Sequence, residues 1–502
     1  MRRGTSEIER ERKYELNAKA GIPRLAGVGE VRTQEAPVER TLDAVYYDTA
    51  DFRLARAGIT LRRRTGGTDA GWHVKIPLAA DTRRELRLPL GEKTKVPGRM
   101  AKLVRAFTLD AKLRPVARLR TDRFAHRLAD AEGRTLAVLA DDHVTGEVGG
   151  GQTLRLDRWR ELEVELDPEA APGLLGELDR AVRKSGAEDA WWPSKLRRLI
   201  GDEVPERRRA GSRSAHGVVY AYLGEQFERL RRADLGVRTG TEDSVHQMRV
   251  AARKLRSTLK TFKSFVDTKA AAGLTAELKW LGAELAPARD AEVTGARLGD
   301  RLDEVPPGLL SGPLRQYVTR RFARESESGL ARVTEALAGK RYIALLQSMA
   351  ELLETAPPAG KAGRKALRKP VRKAARKLRR AEAATRGLTG DELEKALHEV
   401  RKKAKRARYA ADAVRPVFGK KLRVWRKHLK AAQSTLGEHQ DTVVERAALR
   451  QLAIAGFGEN QNTFTFGLIH GRDEAEAAAL RNRFAAEWRT LTKRKRPTWL
   501  KV

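Results

Sequence analysis

The chain contains the same basic helix twice, about 150 residues apart. The first copy reads VHQMRVAARKLRSTL and the second reads LHEVRKKAKRARYAA. The four matched pairs, each separated by 152 residues (398 − 246), are His246 and His398, Arg249 and Arg401, Arg253 and Lys405, and Arg256 and Arg408. Offsets of 0, 3, 7 and 10 residues fall within roughly 80° of a helix circumference. The four side chains of each copy therefore share one stripe.

A separate apolar face lies beside each stripe. Met248, Ala252 and Leu255 follow helical spacing in the first copy, as Val400, Ala404 and Ala407 do in the second. A second sequence match, which we call the echo, pairs LAPARD, ending at Asp290, with LGEHQD, ending at Asp441. The duplication therefore covers a whole helical unit, in which each basic helix can pack and still present cations. A solvated helix face is the alternative reading of a single basic stripe.

The charge balance indicates a polyanionic partner. Among 502 residues, 102 Lys and Arg outnumber 66 Asp and Glu, which gives a net charge of +36. Residues 361–430 alone carry 26 basic and 6 acidic residues. Nucleic acid, a phosphate polymer and an acidic membrane surface are the candidate partners.

Cysteine is absent, so a metal must be held by carboxylate oxygen or imidazole, which favours Mg²⁺ or Mn²⁺. The first residues lack an apolar signal region, and no run of 18 apolar residues occurs. We therefore expect a cytoplasmic protein that does not enter a membrane.

Two domains with different periodicity are expected. Residues 1–204 alternate in strand fashion, residues 205–212 form a polar linker, and residues 213–502 have helical spacing. The periodicity predicts an N-terminal α+β domain rich in strands, followed by an all-α bundle of two repeated lobes.

Several strands of the first domain have one charged face. Glu9, Glu11 and Lys13 alternate with other residues near the start, and Glu161 and Glu163 do so near residue 160. Charged faces usually point to water. If the apolar faces pack under helices such as 172–186, however, the charged faces meet inside a closed barrel. Such an interior needs counter-charges, which a metal ion and a phosphate chain would supply together.

The first domain resembles the CYTH family of triphosphate tunnel metalloenzymes. The resemblance rests on ERERK at 9–13 and on the blocks AVYYDTADFRLARAGITLRRRT, GWHVKIP and RELEVEL in the same order. It implies a closed eight-stranded antiparallel barrel, whose tunnel binds triphosphate with Mg²⁺ or Mn²⁺ and, in many members, hydrolyses it. The residues to which it assigns phosphate contacts are Lys13, Arg62, Arg64, Lys75, Arg118 and Arg120. Those to which it assigns the metal are Glu9, Glu11, Asp141 or its neighbour Asp142, Glu161, Glu163 and Glu165.

One position departs from the family pattern. Arg87 stands on the same face as Glu85, where many members have a second acid. The number of metal ions, and catalysis itself, are therefore open.

The second domain resembles the CHAD domain, the conserved histidine α-helical domain. The resemblance rests on the duplicated His-x-x-Arg helices and on the ARD and HQD echoes. It implies binding of inorganic polyphosphate between the two lobes. The implied contact residues are His246, Arg249, Arg253, Arg256, His398, Arg401, Lys402, Lys405, Arg406 and Arg408, and Asp290 and Asp441 are expected to orient them.

The favoured function is a polyphosphate-binding protein whose tunnel cleaves tripolyphosphate or chain ends. The alternative is a non-catalytic module that targets polyphosphate granules. Nucleic-acid binding ranks lower, because aromatic residues for base stacking are not interleaved with the basic run. Adenylate cyclase activity ranks lower still.

Overall fold

The computed structural model describes residues 5–17, 20–91, 94–150, 153–201, 203–205, 214–310, 312–355, 362–459, 462–493 and 498–500. The chain folds as two compact units, residues 1–207 and 208–502. Residues 206–212 of the predicted linker, 205–212, lie outside the described residues, so its boundaries remain predictions.

The first unit contains the strands. They are β1 (Thr5–Glu15), β2 (Thr33–Gln34), β3 (Val38–Asp48), β4 (Thr60–Thr65), β5 (Gly71–Ala79), β6 (Thr82–Pro89), β7 (Arg114–Ala129), β8 (Thr135–Gly150), β9 (Thr153–Leu166) and β10 (Glu188–Asp189). Its helices are α1 (Arg53–Arg56), α2 (Gly98–Leu103), α3 (Arg105–Thr108), α4 (Leu174–Lys184) and α5 (Lys195–Leu199).

Eight antiparallel strands close into a barrel, as the sequence predicts. Their order around the barrel is β1-β6-β5-β4-β3-β7-β8-β9, and β1 pairs with β9 to complete it. β1 joins two partners along its length, because residues 5–10 pair with β6 and residues 10–15 pair with β9. The register sets Lys13 opposite Glu163 and Glu11 opposite Glu165.

Strand alternation separates the two faces of the barrel. The apolar outer faces of β1, β8 and β9 pack under α4, where Tyr14, Leu139, Leu162 and Leu178 are buried together. This agrees with the predicted helix over 172–186. The opposite face of the same strands, with Glu11, Glu161 and Glu163, is therefore turned inward.

Helix α5 closes one end of the barrel interior. Ser194 caps the helix, because its side chain accepts a hydrogen bond from the Arg197 amide. Leu196 and Leu199 are fully buried and cluster with Ala44 and Leu119 of the strands. The same packing places Lys195, the first residue of the helix, beside the charged part of the interior.

The second unit is helical. The helices of its described residues are α6 (Ala215–Arg238), α7 (Ser244–Thr261), α8 (Thr268–Glu284), α9 (Ala286–Asp303), α10 (Leu314–Ala338), α11 (Lys340–Glu354), α12 (Arg368–Ala383), α13 (Gly390–Ala413), α14 (Arg415–Gly458) and α15 (Phe464–Lys493). None of these described helices combines the length and apolar character needed to cross a membrane.

The duplication seen in the sequence is a duplication of helices. When 152 is added to the residue numbers of the first copy, α6, α7 and α10 coincide in sequence with α12, α13 and α15. The single long α14 spans the positions of both α8 and α9. The difference has a local cause, since Pro287 stands in the first turn of α9, where a new helix tolerates it and a continuous helix does not.

Candidate functional sites

The barrel encloses a cavity lined by both signs of charge. Its walls carry eight basic side chains, namely Lys13, Arg62, Arg64, Lys75, Arg83, Arg87, Arg123 and Lys195. They also carry six carboxylates, namely Glu9, Glu11, Asp69, Glu85, Glu163 and Glu165. The side chains of this interior fill it by pairing with one another, and they leave a cavity of about 80 Å³.

One group of ion pairs is built on β1. Lys75 Nζ lies 2.6 Å from Glu9 Oε2, and Lys13 Nζ lies 3.0 Å from Glu11 Oε2. Glu9 and Glu11 are each 5% exposed. Burial alone would raise the pKa of Glu11, but Lys13 and Lys75 lower it to about 2. Burial raises the pKa of Glu9 to about 7.

A second group forms a buried acidic cluster. Asp142, Glu161 and Glu163 each offer an oxygen within 4.8 Å of the others. Lys195 Nζ lies among them, at 2.9 Å from Asp142, 2.7 Å from Glu161 and 2.6 Å from Glu163. Although burial opposes ionisation, Lys13, Lys195 and Arg123 hold the pKa of Glu163 well below its usual range. This cluster fits a hard divalent cation, because its donors are carboxylate oxygens that already surround one positive charge.

The third part of the cavity is basic. Arg62 Nη2 lies 3.7 Å from Glu85 Oε1, and Arg64 forms an ion pair with Asp69. Burial and the nearby Arg62 and Arg123 lower the pKa of Arg64 to about 9. Cations crowded in this way gain from an anionic ligand, and guanidinium groups bind phosphate oxygens through paired hydrogen bonds.

Arg118 and Arg120 do not line this cavity, so their predicted place in the tunnel is wrong. Their side chains are 58% and 66% exposed and pair with Asp43 and Asp122. The cavity is lined instead by the alternate positions of β7, Leu119, Thr121 and Arg123. The error arose because this end of the barrel interior is apolar, so the charged positions of the strand are the outer ones.

Asp141 is also misplaced in the prediction. Strand β8 turns Asp142 inward, opposite Glu161, and turns Asp141 to the other face. There Asp141 Oδ1 accepts a hydrogen bond from Arg160 Nε at 2.8 Å. Among the remaining predicted residues, Glu161 and Glu163 belong to the acidic cluster and Glu165 lines the cavity.

Sequence reasoning missed Lys195 and Arg123. Arg123 Nη2 lies 2.6 Å from Asp142 and 2.7 Å from Glu163. For Lys195 the available signal was Ser194 after Pro193, a capping residue that begins a short amphipathic helix. For Arg123 the signal was its position two and four residues after Thr121 and Leu119, which places all three on one face of the strand.

Arg87 pairs with the carboxylates that surround it. Arg87 Nη2 lies 3.3 Å from Glu9 Oε1, and Arg87 also forms an ion pair with Glu85. The first group of carboxylates is thus neutralised by Lys75 and Arg87. The cluster of Asp142, Glu161 and Glu163 is also paired with cations, but among the described residues it is the group whose three carboxylates lie close enough together to hold one metal ion.

In the helical unit the two basic stripes meet, because α7 packs against α13. Burial, Arg401 and Arg253 together lower the pKa of Lys405 to about 7. Within the described residues no carboxylate forms a salt bridge with Arg253, Arg256, Arg401, Lys405, Arg406 or Arg408. The Nε atoms of Arg401 and Arg408 are buried and have no hydrogen-bond partner. Buried donors without acceptors are costly, so this junction is suited to an anion.

Three of the remaining predicted contact residues, Arg249, His398 and Lys402, pair with residues of their own lobes. Arg249 Nη1 lies 2.7 Å from Asp290 Oδ1, and the orienting role of Asp290 stays a prediction. Asp441 lies 3.8 Å from Arg297 Nη1. His398 Nδ1 donates to Gln440 Oε1, so this histidine links the stripe to the HQD echo. Lys402 pairs with Glu399.

Known proteins match this arrangement. The profile of the CYTH domain matches residues 7–178, and the profile of the CHAD domain matches residues 221–450. Uncharacterized protein Rv2226 of Mycobacterium tuberculosis (strain ATCC 25618 / H37Rv) is 36% identical over 98% of both chains.

Two solved structures are also similar. The CHAD domain from the plant Ricinus communis is 25% identical, with a TM-score of 0.47, over 59% of this chain and 98% of its own. PptA from Streptomyces chartreusis is 24% identical, with a TM-score of 0.46, over 55% of this chain and 99% of its own. The chain belongs to the family of proteins that join an N-terminal CYTH domain to a C-terminal CHAD domain.

Proposed function

We propose that the barrel binds a triphosphate, or the end of a phosphate chain, together with Mg²⁺ or Mn²⁺ and hydrolyses it. The observation that carries this proposal is the cavity whose wall combines Glu163 of the acidic cluster with arginines and lysines that are mostly half-buried. A phosphate chain and a divalent cation that enter together keep such an interior near electrical balance. Either one alone leaves buried charges unpaired.

The side chains divide the work by charge. Arg62, Arg64 and Lys75 bind phosphate oxygens on one side, and Lys13 and Arg123 bind them next to the acidic cluster. Asp142, Glu161 and Glu163 would hold the metal, which polarises phosphate oxygen and lowers the pKa of a bound water. Phosphoryl transfer needs chiefly positioning and charge neutralisation, so no side-chain nucleophile is required.

Calorimetric titration of tripolyphosphate into the full chain tests binding by the barrel. We expect a saturable site whose affinity rises when Mn²⁺ is present, because the two ligands neutralise each other's surroundings. An Arg62→Gln, Arg64→Gln variant should lose that site. Absence of any saturable binding, with and without Mn²⁺, would overturn the proposal.

Lys195 gives a prediction about metal affinity. Its ammonium group occupies the centre of the acidic cluster, so a divalent cation must displace it. We expect Lys195→Met to tighten Mn²⁺ binding by about tenfold, as measured by the electron paramagnetic resonance of free Mn²⁺. Lys184→Met, on the exposed end of α4, is the control and should bind Mn²⁺ as the unchanged chain does. Unchanged or weaker Mn²⁺ binding in Lys195→Met would contradict the assignment of this cluster to the metal.

A second candidate function is binding without hydrolysis. The observation in its favour is Arg87, which occupies Glu9 and Glu85 and leaves one carboxylate cluster for metal. In that case the chain would recognise phosphate chain ends and localise to polyphosphate granules. It would then bind tripolyphosphate without releasing orthophosphate.

For the helical unit we propose binding of inorganic polyphosphate across the two stripes. The support is the junction of α7 and α13, where, among the described residues, six cations form no salt bridge with a carboxylate and two buried guanidinium Nε atoms have no acceptor. Competition between long-chain polyphosphate and duplex DNA tests this proposal. Polyphosphate should displace DNA at physiological salt, since it concentrates charge without requiring a groove. Equal affinities would favour nucleic acid as the partner.

The lowered pKa of Lys405 predicts that polyphosphate binding depends on pH. Its folded-state pKa of about 7 lies below the unfolded value of about 10.5, so the folded chain holds this proton weakly. A polyanion favours the charged form, and binding should therefore strengthen by up to about tenfold as the pH falls from about 8 to 6.5. Burial lowers the pKa of both stripe histidines from its ordinary value.

Filter binding of labelled polyphosphate across this pH range provides the measurement. The Lys405→Met variant should lose most of the pH dependence, whereas Lys340→Met, an exposed lysine at the start of α11, should keep it. The pH dependence of the stability of the fold has the opposite sign to that of binding. The Lys405 charge destabilises the fold below about pH 7, and this penalty disappears as the pH rises toward about 10.5, so Lys405→Met should raise the Tm more at pH 6 than at pH 9.

A further inference from the structure

Helix α12 carries a row of exposed cations that the two stripes do not include. Six of its basic residues recur at offsets of 0, 3, 4, 7, 8 and 11 and lie within roughly 140° of arc along about 16 Å of helix. We call this row the ladder; its members are Lys369, Arg372, Lys373, Arg376, Lys377 and Arg380, and all six are exposed. The ladder is a continuous basic edge.

The ladder has no carboxylates to balance it. No Asp or Glu occurs between residues 362 and 381. No carboxylate of the described residues forms a salt bridge with a ladder residue, although such pairs are frequent on the other helices. Like charges at i,i+3 and i,i+4 repel one another along a helix. The arrangement therefore lowers helix stability in the absence of an anion.

The fold itself does not require these charges. The buried residues Val371, Ala374, Ala375 and Leu378 of α12 all have buried counterparts 152 positions earlier in α6. At the six ladder positions, however, α6 carries Gly217, Tyr220, Ala221, Gly224, Glu225 and Glu228. Helix α6, the counterpart of α12 in the first lobe, therefore packs without a cation at any of these six positions. The cations of the second lobe are thus an addition to the packing.

The ladder is continuous with the stripes. Helix α12 packs against both α13 and α7. Lys377 lies in the field of Lys373, Arg406 and Lys403, which together with burial lowers its pKa. Arg406 in turn lies beside Arg256 of the first stripe, and both act on Lys260. Basic side chains therefore extend without interruption from the junction of the stripes, over Arg406, onto α12.

We propose that the ladder is a second binding surface for the same phosphate chain, which runs from the stripes over Arg406 and along α12. This inference rests on the proposed binding of polyphosphate by the helical unit. A linear polyanion with a charge on every unit and no bases fits the surface, because the described part of α12 has no aromatic side chain for stacking. The ladder then selects chains long enough to reach both surfaces, since the second contact is intramolecular.

The test compares two variants of the full chain with equal loss of charge. The ladder variant is Arg372→Gln, Lys373→Gln, Arg376→Gln, Lys377→Gln, and glutamine keeps the helix propensity. The control variant is Arg320→Gln, Arg324→Gln, Lys340→Gln, Arg450→Gln, on exposed positions of α10, α11 and α14. Circular dichroism checks that both variants are folded. Affinity is measured for tripolyphosphate and for long-chain polyphosphate at several salt concentrations.

We expect the ladder variant to bind long-chain polyphosphate at least about tenfold more weakly than the control variant, with a salt slope reduced by roughly 0.7 for each lost contact. Binding of tripolyphosphate should be the same in both variants. If the unchanged chain binds long-chain polyphosphate and the two variants bind it equally, the inference fails while the proposed function stands. If the unchanged chain binds none, the proposed function of the helical unit fails, and the inference with it. If the ladder variant loses affinity for duplex DNA or RNA but not for polyphosphate, the surface serves nucleic acid and the inference is wrong.

Discussion

Replacing Glu163 with glutamine is expected to lower metal-dependent release of orthophosphate from tripolyphosphate by at least about 100-fold. Glu163 belongs to the acidic cluster and also contacts Lys13, Arg123 and Lys195. The substitution keeps the size of the side chain, removes one anionic metal ligand and leaves three cations with less counter-charge. Turnover should fall because both the metal and the cations that grip phosphate lose their positions.

The controls separate this effect from loss of the fold. Glu35→Gln removes an exposed carboxylate, 2.9 Å from Arg127, and should leave the rate unchanged. Binding of long-chain polyphosphate should survive in Glu163→Gln, because the stripes belong to the other unit. Full activity of a folded Glu163→Gln variant would show that the cluster does not serve hydrolysis.

Neutralising both stripes is expected to reduce polyphosphate affinity by about 1,000-fold. Arg253→Gln changes the first stripe, and Arg401→Gln with Lys405→Gln changes the second. Arg249 is left in place, because it already pairs with Asp290 at 2.7 Å. Each charge-assisted contact is worth on the order of 1.5–3 kcal/mol before solvent screening, so either change alone should weaken binding by about tenfold or more. The combined variant should lose much more, since the two lobes hold one chain.

Equilibrium binding at fixed salt measures these changes, with Arg320→Gln, Arg324→Gln as a control on exposed positions of α10. Hydrolysis of tripolyphosphate should continue in every variant. If the combined variant remains folded and keeps its affinity, both stripes are solvated helix faces.

The sequence predicted features that depend on periodicity. The two helices with matched stripes, the strands with one charged face and the helix over their apolar face all follow from which residues repeat every two or every 3.6 positions. The family resemblance, and not periodicity, assigned Lys13, Lys75, Arg62 and Arg64 to the tunnel, and all four line the cavity.

The errors lie where alternation does not determine which face is inward. On β7 the inner positions near α5 are Leu119 and Thr121, so the charged residues Arg118 and Arg120 point out. On β8 the adjacent residues Asp141 and Asp142 point to opposite faces, and the pairing with β9 shows that Asp142 is the one turned inward. Lys195 reaches the cluster through the tertiary packing of Leu196 and Leu199, which no local pattern encodes.

Release of orthophosphate from tripolyphosphate by the full chain, in EDTA and after addition of Mg²⁺ or Mn²⁺, tests the central claim most directly. The proposed site predicts no release in EDTA and steady turnover once a divalent cation is added, with the turnover abolished in Glu163→Gln. Tripolyphosphate that remains intact with every divalent cation, or release that continues at the same rate in EDTA, would contradict a metal-dependent hydrolase in the barrel.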